Sequence, residues 1–156
     1  MNEKELILIY YSNEKYPING PGAVVKNMKK SLKKMKIKFI DYPICSEKKA
    51  DIIKLIIFLI KSKNKIINVH QSGNKIPIIV YLISKINKKN EYYFTTHGCR
   101  TLEKDKISFS NKILEKILLN NFENIICVSE MYMNDIKRKF KTKGNLYFVK
   151  DRKSVV

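Results

Sequence analysis

A chain of 156 residues has the size of one ordinary domain, and its 44% hydrophobic content is enough to bury a core, which excludes global disorder. Lysine and arginine number 32 against 14 aspartates and glutamates, so the net charge is +18 and favours anionic partners. The lysines are spread along the chain together with abundant isoleucine and asparagine, as the codons of an AT-rich genome would supply them. Because this compositional bias explains the positive charge without a clustered basic patch, we expect no nucleic-acid partner.

The three cysteines indicate a reducing compartment. Cys45, Cys99 and Cys127 are odd in number, far apart and without the spacing of zinc ligands, so neither a disulfide framework nor a metal site is expected. We expect a cytoplasmic protein without a cofactor. Cys127 lies in an apolar run and is expected in the core.

One apolar segment raises the question of a membrane. Ile52–Ile60 contains Lys54 and is much shorter than the ~20 residues that cross a bilayer. The N-terminal apolar run is also too short for a signal peptide. Lysines on the first predicted helix and the apolar Asp51–Lys61 helix favour peripheral contact with the anionic inner face of the plasma membrane. Burial against a sheet explains the isoleucines and leucines of that helix better.

Short apolar runs alternate with amphipathic segments along the whole chain. The predicted strands are Glu5–Tyr11, Lys36–Ile40, Ile66–Val69, Glu91–Thr96, Asn124–Val128 and Leu146–Val149. The predicted helices are Ala23–Met35, Asp51–Lys61, Ile76–Ile86, Asn111–Asn120 and a last helix that Ser129 caps with its hydroxyl and that runs to about Phe140. This alternation predicts an α/β fold, a Rossmann-like parallel sheet with helices on both faces.

Residues with binding chemistry follow the predicted strands, at the edge where parallel sheets bind ligands. Gly20 and Gly22 follow the first strand, and they either form a turn or let the backbone approach a phosphate. His97 follows the fourth strand and is expected in a cleft, whereas a structural hydrogen bond explains His70 better. The remaining candidates for contact with an acceptor or sugar are Gln71, Asn74, Gly98, Arg100 and Ser129. For Gln71 and Asn74 the alternative is contact with water, for Arg100 a solvated loop, and for Ser129 the helix cap.

Residues 5–150 resemble the N-terminal domain of family 4 glycosyltransferases, the retaining group with the two-domain GT-B fold. Four features in the same order carry the resemblance: Asn19-Gly20-Pro21-Gly22 followed by Leu32, a strand ending in Val69-His70, a strand ending in Thr96-His97-Gly98, and Ile125–Glu130 opening a helix. The family pattern breaks after Lys150, where an Asn-Gly turn usually follows and Asp151-Arg152 stands instead.

The resemblance implies an enzyme of two Rossmann-like domains that moves a sugar from a nucleotide-sugar to a glycan or lipid-linked acceptor with retention, as in polysaccharide biosynthesis. Residues 1–150 would be its acceptor-side domain. The donor-binding domain would be absent, so the chain alone is expected to be inactive. By position, Gly20 and Gly22 match the loop near the donor phosphates, and His97 matches the histidine that contacts the transferred sugar. No metal is implied, since backbone dipoles can stabilise the leaving phosphate.

Two rival functions stay open at this point. Gly20-Pro21-Gly22 begins like a dinucleotide-binding fingerprint, with Asp41 at about the right distance for a ribose. Against this, Val25 occupies the third glycine position, and the glycines lie well beyond the first strand. A basic nucleic-acid-binding module would need lysines and aromatic residues clustered on one face, and the tyrosines show no such pattern.

The last residues, 151–156, match no pattern in the preceding chain. Codons for Asp-Arg-Lys-Ser-Val-Val resemble a common sequencing adapter, which predicts a non-native tail after Lys150. A genuine short C-terminus is the alternative, and the DNA of the source locus distinguishes the two.

Overall fold

The structure, a computed structural model, describes residues 4–12, 21–45, 48–71, 73–98 and 108–149. Within these ranges six strands alternate with five helices. The strands are β1 (Glu5–Tyr11), β2 (Phe39–Ile44), β3 (Lys65–His70), β4 (Glu91–Thr96), β5 (Asn124–Cys127) and β6 (Asn145–Phe148). The helices are α1 (Pro21–Lys34), α2 (Lys49–Lys61), α3 (Lys75–Ile86), α4 (Phe109–Asn121) and α5 (Glu130–Lys139).

All the described strands pair in parallel, in the order β2-β1-β3-β4-β5-β6. The chain leaves β1 toward β2 on one side and leaves β3 toward β4 on the other. The strand order therefore reverses between the neighbouring strands β1 and β3, and such a reversal opens a crevice at the carboxyl ends of the strands. The predicted Rossmann-like α/β fold is confirmed.

Helices cover both faces of the sheet, as predicted. One continuous core joins the inward residues of α2, α3, α4 and α5 to a single face of the strands; it includes Leu59 and Ile136 of the helices and Ile67 and Ile125 of the strands. Val25 and Leu32 of α1 are buried outside that core. Strand side chains alternate between faces, so α1 packs on the opposite face, which carries Leu8.

The predicted second strand, Lys36–Ile40, is wrong in position, because β2 spans Phe39–Ile44. Lys36 has a positive φ of 58°, and the amides of Lys36 and Ile37 donate to the carbonyls of Lys33 and Leu32. This Schellman-type end of α1 cannot also be strand. Pro43 is tolerated in β2 because β2 is an edge strand.

The predicted burial of the second helix holds on one side only. Leu55 and Leu59 of α2 are buried in the core, whereas Ile53, Ile57 and Ile60 stay exposed. In the part of the chain that the structure describes, no helix has the length and apolar character to cross a membrane. Cys127 is fully buried, as predicted, and burial raises the pKa of its thiol to about 11.

Gly144 allows a close backbone approach before β6. A Cβ at this position would lie 2.1 Å from the carbonyl oxygen of Phe122 and 2.4 Å from that of Glu123. Both distances are far below van der Waals contact, and the opposing atoms are backbone atoms, which cannot rotate away. The amide of Asn145 donates to the same Glu123 carbonyl at 2.8 Å, so the close approach fixes where β6 begins.

We therefore expect Gly144→Ala to lower the free energy of unfolding by about 2–4 kcal/mol, because β6 must move away from the end of α4. Chemical denaturation followed by circular dichroism measures this change. The matched control is Gly22→Ala, since no atom of the described residues lies within 4 Å of a Cβ at Gly22. A helical glycine-to-alanine change without contacts should leave the free energy of unfolding unchanged or raise it by up to about 1 kcal/mol. Equal stability of the two variants would contradict the close approach at Gly144.

Candidate functional site

The parallel sheet brings the predicted site residues to one edge. His70 is the last residue of β3, His97 directly follows β4, and Ser129 lies just beyond β5. The β3–β4 register pairs His70 with Thr95, so His97 stands two residues past that pair. The two histidines, 27 positions apart in sequence, therefore meet at the carboxyl edge.

The start of α1 reaches the same edge. Helix α1 ends shortly before β2 begins, and β2 begins at the amino edge of the sheet. The first turn of α1 therefore lies at the opposite, carboxyl edge. Lys29, midway along α1, donates from Nζ to the Tyr10 hydroxyl at 2.9 Å and to Asp41 Oδ2 at 2.6 Å. Gly22 lies two turns, about 10 Å, further toward the carboxyl edge than Lys29. Gly22 and His97 thus share one edge of the sheet.

His70 and His97 form a hydrogen-bonded pair. His70 Nδ1 lies 3.1 Å from His97 Nε2, and the planes of the two rings differ by 25°. The ring centroids are 5.4 Å apart, so the rings meet edge to edge and not face to face. His70 is 2% exposed, whereas His97 is half-buried. The predicted structural hydrogen bond of His70 exists, and its partner is the histidine expected to contact the sugar.

His70 is held as a neutral imidazole. Burial is the main cause that lowers its pKa from 6.5 to about 3, and the charge that His97 can carry is the second. His70 Nε2 is buried and has no hydrogen-bond partner among the described residues. A buried N–H without an acceptor is rarer and more costly than a lone pair without a donor. The geometry therefore favours a proton on His70 Nδ1, donated to His97 Nε2.

A chain of buried polar side chains supports the loops beside this pair. Thr96 Oγ1 donates to Gln71 Oε1 at 2.6 Å, Gln71 Nε2 donates to Asn74 Oδ1 at 3.4 Å, and Asn74 Nδ2 donates to the Asn111 carbonyl at 3.2 Å. Gln71 and Asn74 are each 9% exposed. They link the strand ends to α3 and α4, a supporting role that sequence reasoning did not assign to these two candidates.

The remaining predicted site residues are Gly98, Gly20, Arg100 and Ser129. Gly98 is half-buried, and its carbonyl lies 3.0 Å from Thr96 Oγ1. Gly20 and Arg100 lie outside the described residues. The predicted hydroxyl cap of Ser129 is wrong: Ser129 has the extended backbone of a cap residue, but its carbonyl, not its side chain, takes the helical bond, from the Met133 amide.

Sequence reasoning missed a buried polar pair below the histidines. Thr95 Oγ1 donates to Asn68 Oδ1 at 2.8 Å, and both residues are 3% exposed. Thr95 is the register partner of His70, and Asn68 lies two residues before His70 on the same face. The sequence did contain a signal for this pair. Polar residues stand at alternate positions, Asn68 and His70, of a strand that is expected to be buried on both faces.

In comparisons with known proteins, no family model matches the sequence, and no curated protein is found to be similar to it. Among the described residues, no three histidine, cysteine or acidic side chains gather as a metal-binding group. The fold and the site therefore define this protein as a Rossmann-like α/β domain that has a histidine pair beside the point where the strand order reverses.

The depressed pKa of His70 predicts a pH-dependent stability. The unfolded chain binds the proton of His70 below about pH 6.5, whereas the folded chain resists it down to about pH 3. The stability from neutral His70 is thus complete above that upper value and is lost as the pH falls. Lowering the pH from about 7 to about 5 should cost about 2 kcal/mol through His70. Urea unfolding at several pH values measures this cost.

His70→Asn should remove that part of the pH dependence. His97→Asn is the matched control and should retain most of it, because burial, and not the charge of His97, is the larger cause of the shift. A His70→Asn variant with the same pH dependence as the unmodified chain would contradict a neutral, buried His70.

The hydrogen-bond argument predicts the tautomer as well. The chain contains two histidines, so ¹⁵N-labelled imidazoles give a spectrum that the His97→Asn variant alone assigns. We expect His70 as the Nδ1–H tautomer at about neutral pH, because its buried Nε2 has no acceptor. A spectrum in which His70 carries its proton on Nε2 would reverse the direction of the His70–His97 bond.

Proposed function

We propose that this chain is the acceptor-side half of a retaining, nucleotide-sugar-dependent glycosyltransferase of the GT-B kind. One observation carries the proposal: the His70–His97 pair and the first turn of α1 flank the crevice where the strand order reverses between β1 and β3. Ligands of open parallel sheets bind in this crevice. The motifs that resemble family 4 enzymes supply the residues on both of its sides.

The chemistry of sugar transfer fits these groups. As the bond between sugar and diphosphate breaks, negative charge grows on the leaving phosphate, and the N–H groups at a helix N-terminus stabilise such charge. No atom of the described residues lies within 4 Å of a Cβ built at Gly22, and we propose that a phosphate approaches the first turn of α1 there. If His97 Nε2 accepts from His70, neutral His97 carries its proton on Nδ1.

Exposed apolar side chains near the same edge suit contact with an acceptor or a second lobe. Phe109 begins α4 and is 79% exposed, and Met131 lies in the first turn of α5 and is 68% exposed. Both helices run against the strand direction, so their first turns lie at the carboxyl edge. Large apolar side chains left in water beside a crevice are typical of a binding surface.

The nicotinamide-dinucleotide alternative has less support. Val25, in the place of the third glycine, is 1% exposed and fills the contact between α1 and the sheet. Asp41, the candidate ribose ligand, already accepts from Lys29 at 2.6 Å. A ribose would therefore have to share this carboxylate with the Lys29 ammonium group.

The decisive experiment uses the uninterrupted gene product, should the source locus extend beyond Lys150, with a panel of nucleotide-sugars and lipid-linked or glycan acceptors. We expect transfer with retention of the anomeric configuration. His97→Asn should lower kcat by about 100-fold or more, as for the loss of a transition-state hydrogen bond. Gly22→Ala should weaken transfer while leaving the fold intact, because its methyl group would occupy the space proposed for the phosphate.

Ser31→Ala is the control on the same helix, since Ser31 is exposed near the other end of α1 and should leave transfer unchanged. Near-normal transfer by His97→Asn would remove His97 from the site. Tight, saturable NAD binding together with no sugar transfer would instead favour the dinucleotide alternative.

A further inference from the structure

Among the described residues, no element covers an apolar surface on the outer side of α2 and α3. It consists of Ile53, Ile57 and Ile60 of α2 and Leu82 and Ile86 of α3, which are between 46% and 75% exposed. We call these five residues the outer apolar face. The spacing i, i+4, i+7 on α2 and i, i+4 on α3 aligns each set along one side of its helix. Single exposed apolar residues are ordinary, but five on two neighbouring helices indicate an interaction surface.

The two halves of the outer apolar face are held together. Asn87, just after α3, donates from Nδ2 to the carbonyls of Leu59 and Ser62 at 2.9 Å and of Ile60 at 3.3 Å. The amide of Asn64 donates to the Lys89 carbonyl at 2.9 Å. These bonds fix the C-terminal end of α2 to the end of α3, so Ile60 and Ile86 belong to one rigid surface.

Lysines greatly outnumber acidic residues on the two helices that carry this face. In residues 48–64 and 75–90, which include both helices and their ends, nine lysines stand against a single acidic residue, Asp51. All nine are exposed: Lys48, Lys49, Lys54, Lys61, Lys63, Lys75, Lys85, Lys88 and Lys89. Asp51 lies 3.9 Å from Lys54 and so adds no separate negative region. Lysine stems can lie along an apolar surface while their ammonium groups reach outward.

We propose that the outer apolar face docks on an anionic lipid bilayer, with its isoleucines among the acyl chains and its lysines at the head groups. This proposal goes beyond the transferase activity and does not depend on it. A second copy of the chain fits less well, because pairing two such faces would bring two groups of lysines together with almost no carboxylates to neutralise them. An anionic membrane supplies the opposite charge, and a mixed apolar and basic helix face is the usual form of peripheral lipid binding.

The position of the face leaves the crevice accessible. Helices α2 and α3 run against the strands, so Ile60, Ile86 and the lysines after them lie toward the amino edge of the sheet. The histidine pair lies at the carboxyl edge. Docking and binding in the crevice therefore use different parts of the domain and can be tested separately.

The test is co-sedimentation of the 156-residue chain with vesicles of phosphatidylcholine alone and of phosphatidylcholine containing phosphatidylglycerol. We expect binding to the anionic vesicles that weakens with added salt. Ile53→Gln combined with Ile57→Gln should weaken that binding about tenfold or more, since two apolar side chains no longer enter the bilayer. Ile37→Gln is the matched control, because Ile37 is also about half exposed (45%) but lies at the end of α1, outside the outer apolar face.

The lysines are tested with two pairs of substitutions that each remove two positive charges, so that the two variants have the same net charge. Lys61→Gln with Lys88→Gln should weaken binding to anionic vesicles about 30-fold, whereas Lys30→Gln with Lys33→Gln on α1 should have a smaller effect. Equal losses for the two pairs would mean that the overall charge of the chain attracts the vesicles, and the local docking face would be refuted. The unfolding free energy of each variant shows that its fold is intact.

Two further outcomes would overturn the proposal. The first is no binding to anionic vesicles at low salt. The second is a dimer in sedimentation velocity that Ile53→Gln with Ile57→Gln dissociates, which would assign the outer apolar face to a second copy of the chain.

Discussion

Parallel pairing of the strands is the constraint on which the rest of this structure depends. A parallel strand must be followed by a crossover that returns the chain to the amino edge, so every strand ends at the same carboxyl edge. Right-handed crossovers then set the helix faces: α1 covers one face because β2 lies on one side of β1, and the later helices cover the other because each next strand lies on the opposite side. The reversal between β1 and β3 and the crevice beside it follow from this connectivity.

At this crevice the chain sustains a local cost. An apolar side chain at position 70 could be buried without leaving a polar atom unsatisfied, as the Val69 side chain is on the other face of the sheet. His70 instead leaves Nε2 without a partner, at a cost of about 1–3 kcal/mol. The hydrogen bond to His97 recovers part of that cost and sets which nitrogen of His97 acts as an acceptor. Locally unfavourable choices of this kind are concentrated at functional sites, which supports assigning function to this edge.

The sequence was sufficient for the alternation of strands and helices, because long apolar periodicity reflects burial directly. It failed where backbone geometry decided. Lys36 does not begin a strand, because its positive φ ends α1. A lysine in the sequence gives no sign that its backbone will adopt this conformation. The edge position of His97 was predictable from its place after β4, but its contact with His70 required the strand register. The support that Gln71 gives to Thr96 depends on side-chain directions that composition and spacing do not contain.

The helices connect the two surfaces of the domain through one electrostatic arrangement. All five described helices run against the strands, so their N-termini, each equivalent to about half a positive charge, point to the carboxyl edge that holds the histidines. That edge therefore favours a phosphate without needing a dense cluster of basic side chains there. At the C-terminal ends of α2 and α3 the dipoles are negative, and Lys61 and Lys85 lie in the last turns of these helices, with Lys88 just after α3. The backbone thus supplies positive potential at the crevice, while side chains supply it at the outer apolar face, so the two anionic partners we propose would not compete for the same groups.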